Sequence, residues 1–237
     1  MSEFVNDQFE QACRQAYGSG RGDLSGKDSC ITCRRLDTSE VYEGYNDLLP
    51  YVDGLDYIHL LRRRAALKRE QTVCDVGPGK GLALLDISHK FPRRFSLLAF
   101  GNTAASQNDR ILRNGKVFGP TYNLLQKAGI NFQEGNLIDI DNLLKPHSVD
   151  ILTMVFVLEH TLLPPELAFS KINRVLAPGG VAMVAGSHQI FKNDSDRLAA
   201  VQNLEGSSLT VDTISFYRPC DDSYFPASTA LLRKTAN

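Results

Sequence analysis

From residue 70 onward, short apolar runs alternate with amphipathic stretches in which apolar residues recur every three or four positions. The apolar runs are too short for most helices, and several are apolar at consecutive positions, which is typical of strands buried on both faces. They predict strands over residues 72–76, 95–100, 130–133, 149–156 and 180–185. The amphipathic stretches predict helices over residues 82–90, 120–128 and 164–176. Alternation of this kind implies a parallel sheet with right-handed crossovers.

The two ends of the chain have a different texture. Residues 3–17 predict a helix, and the Gly/Ser-rich stretch "GSGRGDLSGKDS" that follows has the chemistry of a surface loop. At the other end, residues 208–217 and 228–234 predict two further strands joined by a turn. We therefore predict an N-terminal helical extension or lid over residues 1–69 and an α/β domain over residues 70–237.

Composition narrows the class of protein. The chain is 43% hydrophobic and 22% charged, as globular proteins are, and its net charge of -1 gives no broad footprint for nucleic acid or an anionic membrane. No apolar run approaches the roughly 20 residues that a membrane span needs. Five scattered cysteines favour reduced thiols and a cytoplasmic location. Cys30-x-x-Cys33 has no second ligand pair nearby, so we predict no metal site.

The stretch "TVCDVGPGKGLA", residues 72–83, links the first predicted strand to the helix that follows it. Its glycines, Gly77, Gly79 and Gly81, allow a sharp turn and let a ligand approach the backbone. The free N–H groups of the next helix would face that ligand. Because ligands of open parallel sheets bind beyond the carboxyl ends of the strands, this loop is the predicted ligand crevice.

The spacing of the glycines favours some ligands over others. A P-loop requires a hydroxyl residue after its Gly-Lys, and here Gly81 follows Lys80. A dinucleotide fingerprint counted from Gly77 places its third glycine position at Leu82, which disfavours a pyrophosphate and leaves a dehydrogenase as a weaker alternative. The carboxylate of Asp75 instead favours a ligand that carries an ammonium or sulfonium group.

The glycine loop resembles the first motif of class I S-adenosylmethionine-dependent methyltransferases, with "DVGPGKG" at residues 75–81. Residues 131–140, "NFQEGNLIDI", are similar to the third-strand segment of that family. Residues 148–180 are similar to its fourth strand, the following helix and an Arg-Val-Leu-x-Pro-Gly-Gly turn. The resemblance implies a Rossmann-like, seven-stranded, mostly parallel sheet with helices on both faces, and S-adenosylmethionine as cofactor.

The resemblance also implies a set of cofactor-binding positions along the chain. They are Asp75 near the amino end of the cofactor, Gly77, Pro78, Gly79 and Gly81 along its methionine moiety, Asn136 and Leu137 at the adenine, and Met154 and Val155 through their backbone. The family usually has a carboxylate that binds the ribose at the end of the second strand. Asn102 stands there instead, and a neutral acceptor makes weaker hydrogen bonds.

Catalytic residues are not evident from the sequence. Methyl transfer needs alignment of the reactants and exclusion of water, so a dedicated catalytic set need not exist. Glu159, His160 and His188 follow predicted strands and are weak candidates for a base or an acceptor contact. The alternative for Glu159-His160 is a structural pair at the start of a helix.

The N-terminal region is rich in tyrosine and arginine. Four tyrosines could either contact the ligand or pack the lid against the sheet: Tyr42, Tyr45, Tyr51 and Tyr57. A basic run is interpreted as the solvated C-terminal end of a helix, with a phosphate or RNA contact as the alternative: Arg62, Arg63, Arg64, Lys68 and Arg69.

Two functions from different classes remain. The first is methyl transfer to a small molecule or an accessible side chain, without nucleic acid or membrane as partner and with a homodimer as one candidate assembly. The second is a catalytically inactive methyltransferase-like domain that serves as a binding or regulatory module. Position 102 distinguishes the two functions. If the missing carboxylate only weakens cofactor binding, the chain is an enzyme; if it abolishes cofactor binding, the chain is a binding or regulatory module.

Overall fold

A computed structural model describes most of the chain beyond residue 44. The described residues are 45–46, 48–78, 81–101, 110–113, 116–120, 125–158, 161, 163–187, 202, 206–218 and 223–236. Only the backbone is described at residues 82, 110–113, 116–120, 187, 215–218 and 223–227. The predicted helix over residues 3–17, the Gly/Ser-rich stretch, Cys30 and Cys33 lie outside the described residues.

Helices and strands alternate through the central part of the chain. The helices are α1 (Tyr57–Ala65), α2 (Leu82–Lys90), α3 (Ile140–Leu143) and α4 (Pro165–Val175). The strands are β1 (Gln71–Val76), β2 (Phe95–Gly101), β3 (Arg110–Arg113), β4 (Lys116–Pro120), β5 (Asn131–Glu134), β6 (Val149–Val155), β7 (Leu176–Ser187), β8 (Ser207–Arg218) and β9 (Ser223–Lys234). Within the described ranges, no helix has the length and apolar character that crossing a bilayer requires.

Seven of these strands form one sheet in the order β5-β2-β1-β6-β7-β9-β8. The strands from β5 to β7 pair in parallel, whereas β9 is antiparallel to both β7 and β8. The chain builds outward from β1 in both directions, so the strand order reverses between β1 and β6. This architecture confirms the predicted seven-stranded, mostly parallel Rossmann-like sheet.

Each face of the sheet is covered by its own apolar cluster. One cluster joins alternate residues of the central strands, such as Val73, to α1, α2 and the residues just before α1. The other joins the intervening residues, such as Cys74, to α3 and α4. Because successive strand residues point to opposite faces, Asp75 shares the face of Val73, which is covered by α1, α2 and the residues just before α1.

Helices α1 and α4 have clear sequence causes. The Asp56 side chain accepts a hydrogen bond from the His59 N–H at 2.8 Å and so caps α1, while three arginines in its last turn suit the helix dipole. Helix α4 begins with Pro165, whose fixed φ suits a first turn. Its buried residues recur every three or four positions, which places one apolar stripe on the sheet.

Two residues of the basic run make hydrogen bonds to distant parts of the chain. Arg64 donates to the Gly179 carbonyl at 3.0 Å, and Arg69 donates to the Asp150 carboxylate at 2.7 Å. Arg62 and Arg63 are exposed in the last turn of α1, as predicted. The interpretation of the whole run as a solvated face is therefore wrong for Arg64, which is half-buried.

Two segment predictions differ from the structure. Pro120 ends β4 rather than beginning a helix, and the helical residues described in that region are 125–127. The β3–β4 hairpin was not predicted. The C-terminal turn is shorter than predicted, since β9 already begins at Ser223 and includes Pro226. Proline is tolerated there because β7 pairs with β9 only from Ala227 onward, so one side of β9 needs no donor at residue 226.

Candidate functional site

The carboxyl ends of three neighbouring strands carry glycines. Gly77 follows β1, Gly101 ends β2 and Gly135 follows β5. Hydrogen bonds join them: the Gly77 N–H donates to the Phe100 carbonyl at 2.8 Å, and the Gly135 N–H donates to the Gly101 carbonyl at 3.0 Å. These three positions, called the glycine rim below, form a backbone edge without side chains beside the point where strand order reverses.

Gly77 and Gly81 are glycines because the protein itself occupies the space of a side chain. Both have positive φ, +64° at Gly77 and +69° at Gly81. A Cβ at Gly77 would lie 2.5 Å from Val157 Cγ2, and one at Gly81 would lie 2.6 Å from Leu125 Cδ2. These two glycines therefore shape the loop through internal packing. Gly79, the remaining glycine of the motif, lies outside the described residues.

The exit of β6 meets the glycine loop. Phe156, the first residue after β6, has φ +53°, a conformation that an aromatic residue rarely adopts. Its N–H donates to the Ala185 carbonyl at 2.8 Å, which holds the backbone in this turn. The next residue, Val157, packs on Gly77. A strained residue at the carboxyl end of a central strand is a frequent mark of a functional site.

Asp75 lies at the centre of the arrangement, 1% exposed. Tyr45 Oη donates to its carboxylate, 3.1 Å from Oδ2 and 3.3 Å from Oδ1. Thr153, opposite Asp75 on β6, donates through Oγ1 to Oδ1 at 2.7 Å. We call these three residues the Asp75 cluster. Both hydroxyls approach from within the protein, so the carboxylate is fixed beneath the loop and does not open onto solvent.

Burial raises the pKa of Asp75 to about 7, although the hydrogen bonds from Thr153 and Tyr45 act in the opposite direction. The pKa of Tyr45 is also raised, first by burial and then by the neighbouring Asp75. Tyr45 therefore keeps its proton and remains a donor. The result is a carboxyl group that changes charge near neutral pH.

Two other aspartates with little-exposed side chains have cationic partners. Asp150 accepts from Arg69 at 2.7 Å and from the Thr72 N–H at 2.9 Å. Asp141 accepts from Lys171 at 2.8 Å and from Arg174 at 2.7 Å. Among the residues that the structure describes, no ion pair reaches Asp75. A buried carboxylate without a cation is costly in free energy, and such groups are more frequent at functional sites than elsewhere.

Most of the predicted cofactor positions meet at this end of the sheet. Those described are Asp75, Gly77, Pro78 and Gly81 after β1, Asn136 and Leu137 after β5, and Met154 and Val155 at the end of β6. The side chain of Asn136 is exposed, whereas those of Leu137, Met154 and Val155 are buried. Gly79, Asn102, Glu159, His160 and His188 lie outside the described residues.

The tyrosines divide between packing and exposure. Tyr45 and Tyr57 are buried with ring centroids 6.1 Å apart, Tyr51 is 64% exposed, and Tyr42 lies outside the described residues. Cys74 is buried within β1, and burial raises the pKa of its thiol. No group of three or more potential metal ligands is found in the described parts of the chain.

Sequence reasoning missed the partners of Asp75 and the full glycine rim. One signal was available: Thr153 is the only hydroxyl residue in the apolar strand "VDILTMV" and stands three residues after Asp150. Tyr45 gave no comparable signal, since its contact with Asp75 spans 30 residues. Gly135 is recognisable only once β5 is known to lie beside β2.

Comparison with known proteins agrees with this geometry. Residues 74–184 match the family model described as methyltransferase domain. No curated protein matches the chain. Among solved structures, one from work on the conversion of a disulfide bond into a thioacetal group during echinomycin biosynthesis is 13% identical with a TM-score of 0.50. That match covers 98% of this chain and 93% of the other.

A second similar structure is Haemonchus contortus phosphoethanolamine N-methyltransferase 2 in complex with S-adenosyl-L-methionine. It is 14% identical with a TM-score of 0.49, and the match covers 75% of this chain and 52% of that one. The present chain thus spans about half the length of that protein. At these identities, the likeness concerns the fold alone.

Proposed function

We propose that the chain, of which residues 74–184 match the methyltransferase-domain model, is a class I S-adenosylmethionine-dependent methyltransferase. It would bind S-adenosylmethionine at the glycine rim and transfer the methyl group to a small molecule or an accessible side chain. A cytoplasmic location, a homodimeric assembly and the division of the chain at residue 70 belong to the same proposal. The substrate class follows from the near-neutral charge, which offers nucleic acid little attraction.

The observation that carries the proposal is the state of Asp75. Its buried carboxylate has no cationic partner among the described residues and stands two residues before the rim, about 7 Å along the strand. A ligand with an ammonium or sulfonium group above the loop would supply the missing positive charge. S-adenosylmethionine carries both groups, whereas a pyrophosphate would add negative charge next to Asp75.

The proposed contacts follow the chain's own elements. Gly77, Pro78 and Gly81 would line the methionine moiety together with Gly79, and Asn102 would accept from the ribose. Asn136 and Leu137 would contact the adenine, while Met154 and Val155 would approach the cofactor through their backbone. The exposed amide of Asn136 would be available for a hydrogen bond at that edge.

The cofactor supplies an already activated methyl group, so the protein has mainly to align and shield the reactants. The segment that follows β6 from Phe156 is called the acceptor loop here, because it contains Glu159 and His160. The strained backbone at Phe156 would set the position of this loop against the glycine loop. Glu159, His160 and His188 remain candidates for contact with the acceptor. The buried apolar ends of β6 and β7 would keep water from below the reacting atoms.

Calorimetric titration with S-adenosylhomocysteine tests the cofactor. We expect one site per chain and no comparable binding of a nicotinamide dinucleotide. Asn102→Asp should tighten binding if the ribose lies there, because a carboxylate accepts the stronger hydrogen bond. Tight binding of the dinucleotide and none of S-adenosylhomocysteine would refute the proposal in favour of a dehydrogenase.

A second candidate function rests on Asn102 itself. A domain that had lost its ribose carboxylate could persist as a binding or regulatory module without catalysis. Absence of S-adenosylhomocysteine binding at millimolar concentration, in a chain that is folded by circular dichroism, would favour this module. Stoichiometric binding, followed by transfer of labelled methyl to an acceptor, would exclude it.

A further inference from the structure

The Asp75 cluster links the sheet to the N-terminal residues at the point where the proposed cofactor would bind. Tyr45 comes from a segment that precedes α1, Asp75 from β1 and Thr153 from β6. All three side chains are buried, and the hydroxyls of Tyr45 and Thr153 both donate hydrogen bonds to the carboxylate. The cluster is thus a junction of three separate parts of the chain.

Tyr45 is itself firmly held. Its ring packs against Tyr57 of α1, and its carbonyl accepts from the Leu49 N–H at 3.0 Å. The next residue, Asn46, accepts from the Ile58 N–H at 3.0 Å through Oδ1. Displacing the Tyr45 hydroxyl from Asp75 would therefore disturb α1 as a unit.

We propose that Tyr45 and Thr153 are positioning residues for the cofactor, because they hold the Asp75 carboxylate in place beneath the glycine rim and thereby couple cofactor binding to docking of α1 and the residues just before it. This inference rests on the proposed function. It adds Tyr45 and Thr153 to the cofactor positions that the family resemblance implies, and it assigns α1 and the residues just before it a role in binding without requiring that they touch the ligand.

The hydrogen bonds of the cluster act on the pKa of Asp75, so their loss should change the pH dependence of cofactor binding in a known direction. Thr153 and Tyr45 both donate to the carboxylate and so favour its charged form, against burial, which raises the pKa of Asp75 to about 7. The titratable groups that interact with Asp75 in the described structure are Tyr45 from the N-terminal side and Cys74 on its own strand. Tyr57 interacts with Tyr45. All of these neighbours are neutral near pH 7, so no nearby charge in the described structure replaces the two hydrogen bonds.

The test compares Tyr45→Phe and Thr153→Val, each of which removes one hydroxyl and keeps the shape of the side chain. Tyr51→Phe is the matched tyrosine control, because Tyr51 is exposed. Thr229→Val is the matched threonine control, because the Thr229 hydroxyl is buried on β9 without a partner in the described structure. Affinity for S-adenosylhomocysteine is measured by calorimetry from pH 5.5 to 8.5, after each variant has been shown to fold by circular dichroism.

In the wild type, affinity for S-adenosylhomocysteine should fall as pH is lowered through about 7, because protonated Asp75 no longer attracts the ammonium group of that ligand. Losing one donor to the carboxylate should raise the midpoint by about one pH unit in both test variants. Binding at pH 7 should then weaken roughly fivefold and recover at the alkaline end of the range. Damage to packing alone would weaken binding at every pH. Both controls should keep the wild-type midpoint.

Hydrogen exchange of the α1 amides measures directly whether ligand binding stabilises the docking of α1. S-adenosylhomocysteine should slow this exchange in the wild type and in Tyr51→Phe, and should slow it less in Tyr45→Phe. Wild-type affinity and midpoint in both Tyr45→Phe and Thr153→Val would overturn the inference; if Tyr45→Phe does not fold, Thr153→Val alone decides.

A wild type that binds no S-adenosylhomocysteine at any pH overturns the proposed function and the coupling to cofactor with it. The docking role of Tyr45 is then judged from exchange without ligand. Faster α1 exchange in Tyr45→Phe than in Tyr51→Phe supports that role, and equal exchange overturns it.

Discussion

Replacing Asp75 by asparagine should change how the stability of the protein depends on pH. The wild-type carboxyl group is buried and receives hydrogen bonds from Thr153 and Tyr45, yet it has no cationic partner in the described structure. Asparagine has nearly the same shape and keeps an oxygen that can accept these bonds. The substitution therefore removes the ionisation while changing the packing little.

The size of the effect follows from the pKa of Asp75. Burial raises that pKa from its ordinary value of 3.8 to about 7. The folded protein thus holds a proton that the unfolded chain releases, so the free energy of unfolding decreases as pH rises from about 4 to about 7. Three pH units at about 1.4 kcal/mol each give a total near 4 kcal/mol. Between pH 5 and pH 8 the wild type should lose about 2 to 3 kcal/mol through this group.

The assay is urea unfolding of the wild type and Asp75→Asn at pH 5 and pH 8, in the absence of ligand. Subtracting the two pH dependences cancels every other titrating group that the proteins share. From pH 5 to pH 8, the free energy of unfolding of the wild type should fall by about 2 to 3 kcal/mol more than that of Asp75→Asn. An equal pH dependence in both proteins would refute the reasoning, since it would mean that Asp75 ionises in the folded protein as easily as in the unfolded chain.

Three further substitutions test the fold around the site by the same unfolding assay. Gly77→Ala should lower the free energy of unfolding by at least about 1 kcal/mol more than Gly54→Ala does. Both glycines have positive φ, but only Gly77 has a neighbouring side chain where the Cβ would lie. Equal losses would contradict the close packing. Arg69→Ala should cost about 1 to 3 kcal/mol, since it leaves the buried Asp150 without its ion pair, and an unchanged midpoint would show that the pair contributes nothing. Thr229→Val should add about 1 kcal/mol, because it removes a buried hydroxyl that has no partner in the described structure; a loss of stability would indicate a hydrogen bond there.

The central sheet was largely predictable because its signal is local. Strand β6 is buried at every position, so its apolar run identified it directly, and α2 begins and ends at the predicted residues. The stop signal of α4 also worked, because Pro178 and the glycines after it prevent the helix from continuing. In these segments, periodicity and the helix-breaking residues agree with the tertiary structure.

The site was only partly predictable because its key contacts are distant in sequence. The motif identified Asp75, but the hydroxyls that surround it come from Tyr45 and Thr153, 30 and 78 residues away. Likewise, the sequence predicts that the glycines at 77 and 81 let a ligand approach the backbone, but Val157 and Leu125 also occupy the positions that side chains there would take. Such contacts depend on which strands become neighbours, and a local pattern does not contain that information.

The packing of Val157 on Gly77 has a consequence for how this protein can diversify. The loop that would choose the acceptor and the loop that would hold the donor share a surface, so neither can be exchanged alone. A graft of a foreign acceptor loop should succeed only if it brings a branched, medium-sized residue to position 157. Selection for new substrates would then act mainly on residues farther from the sheet, where the two loops no longer touch.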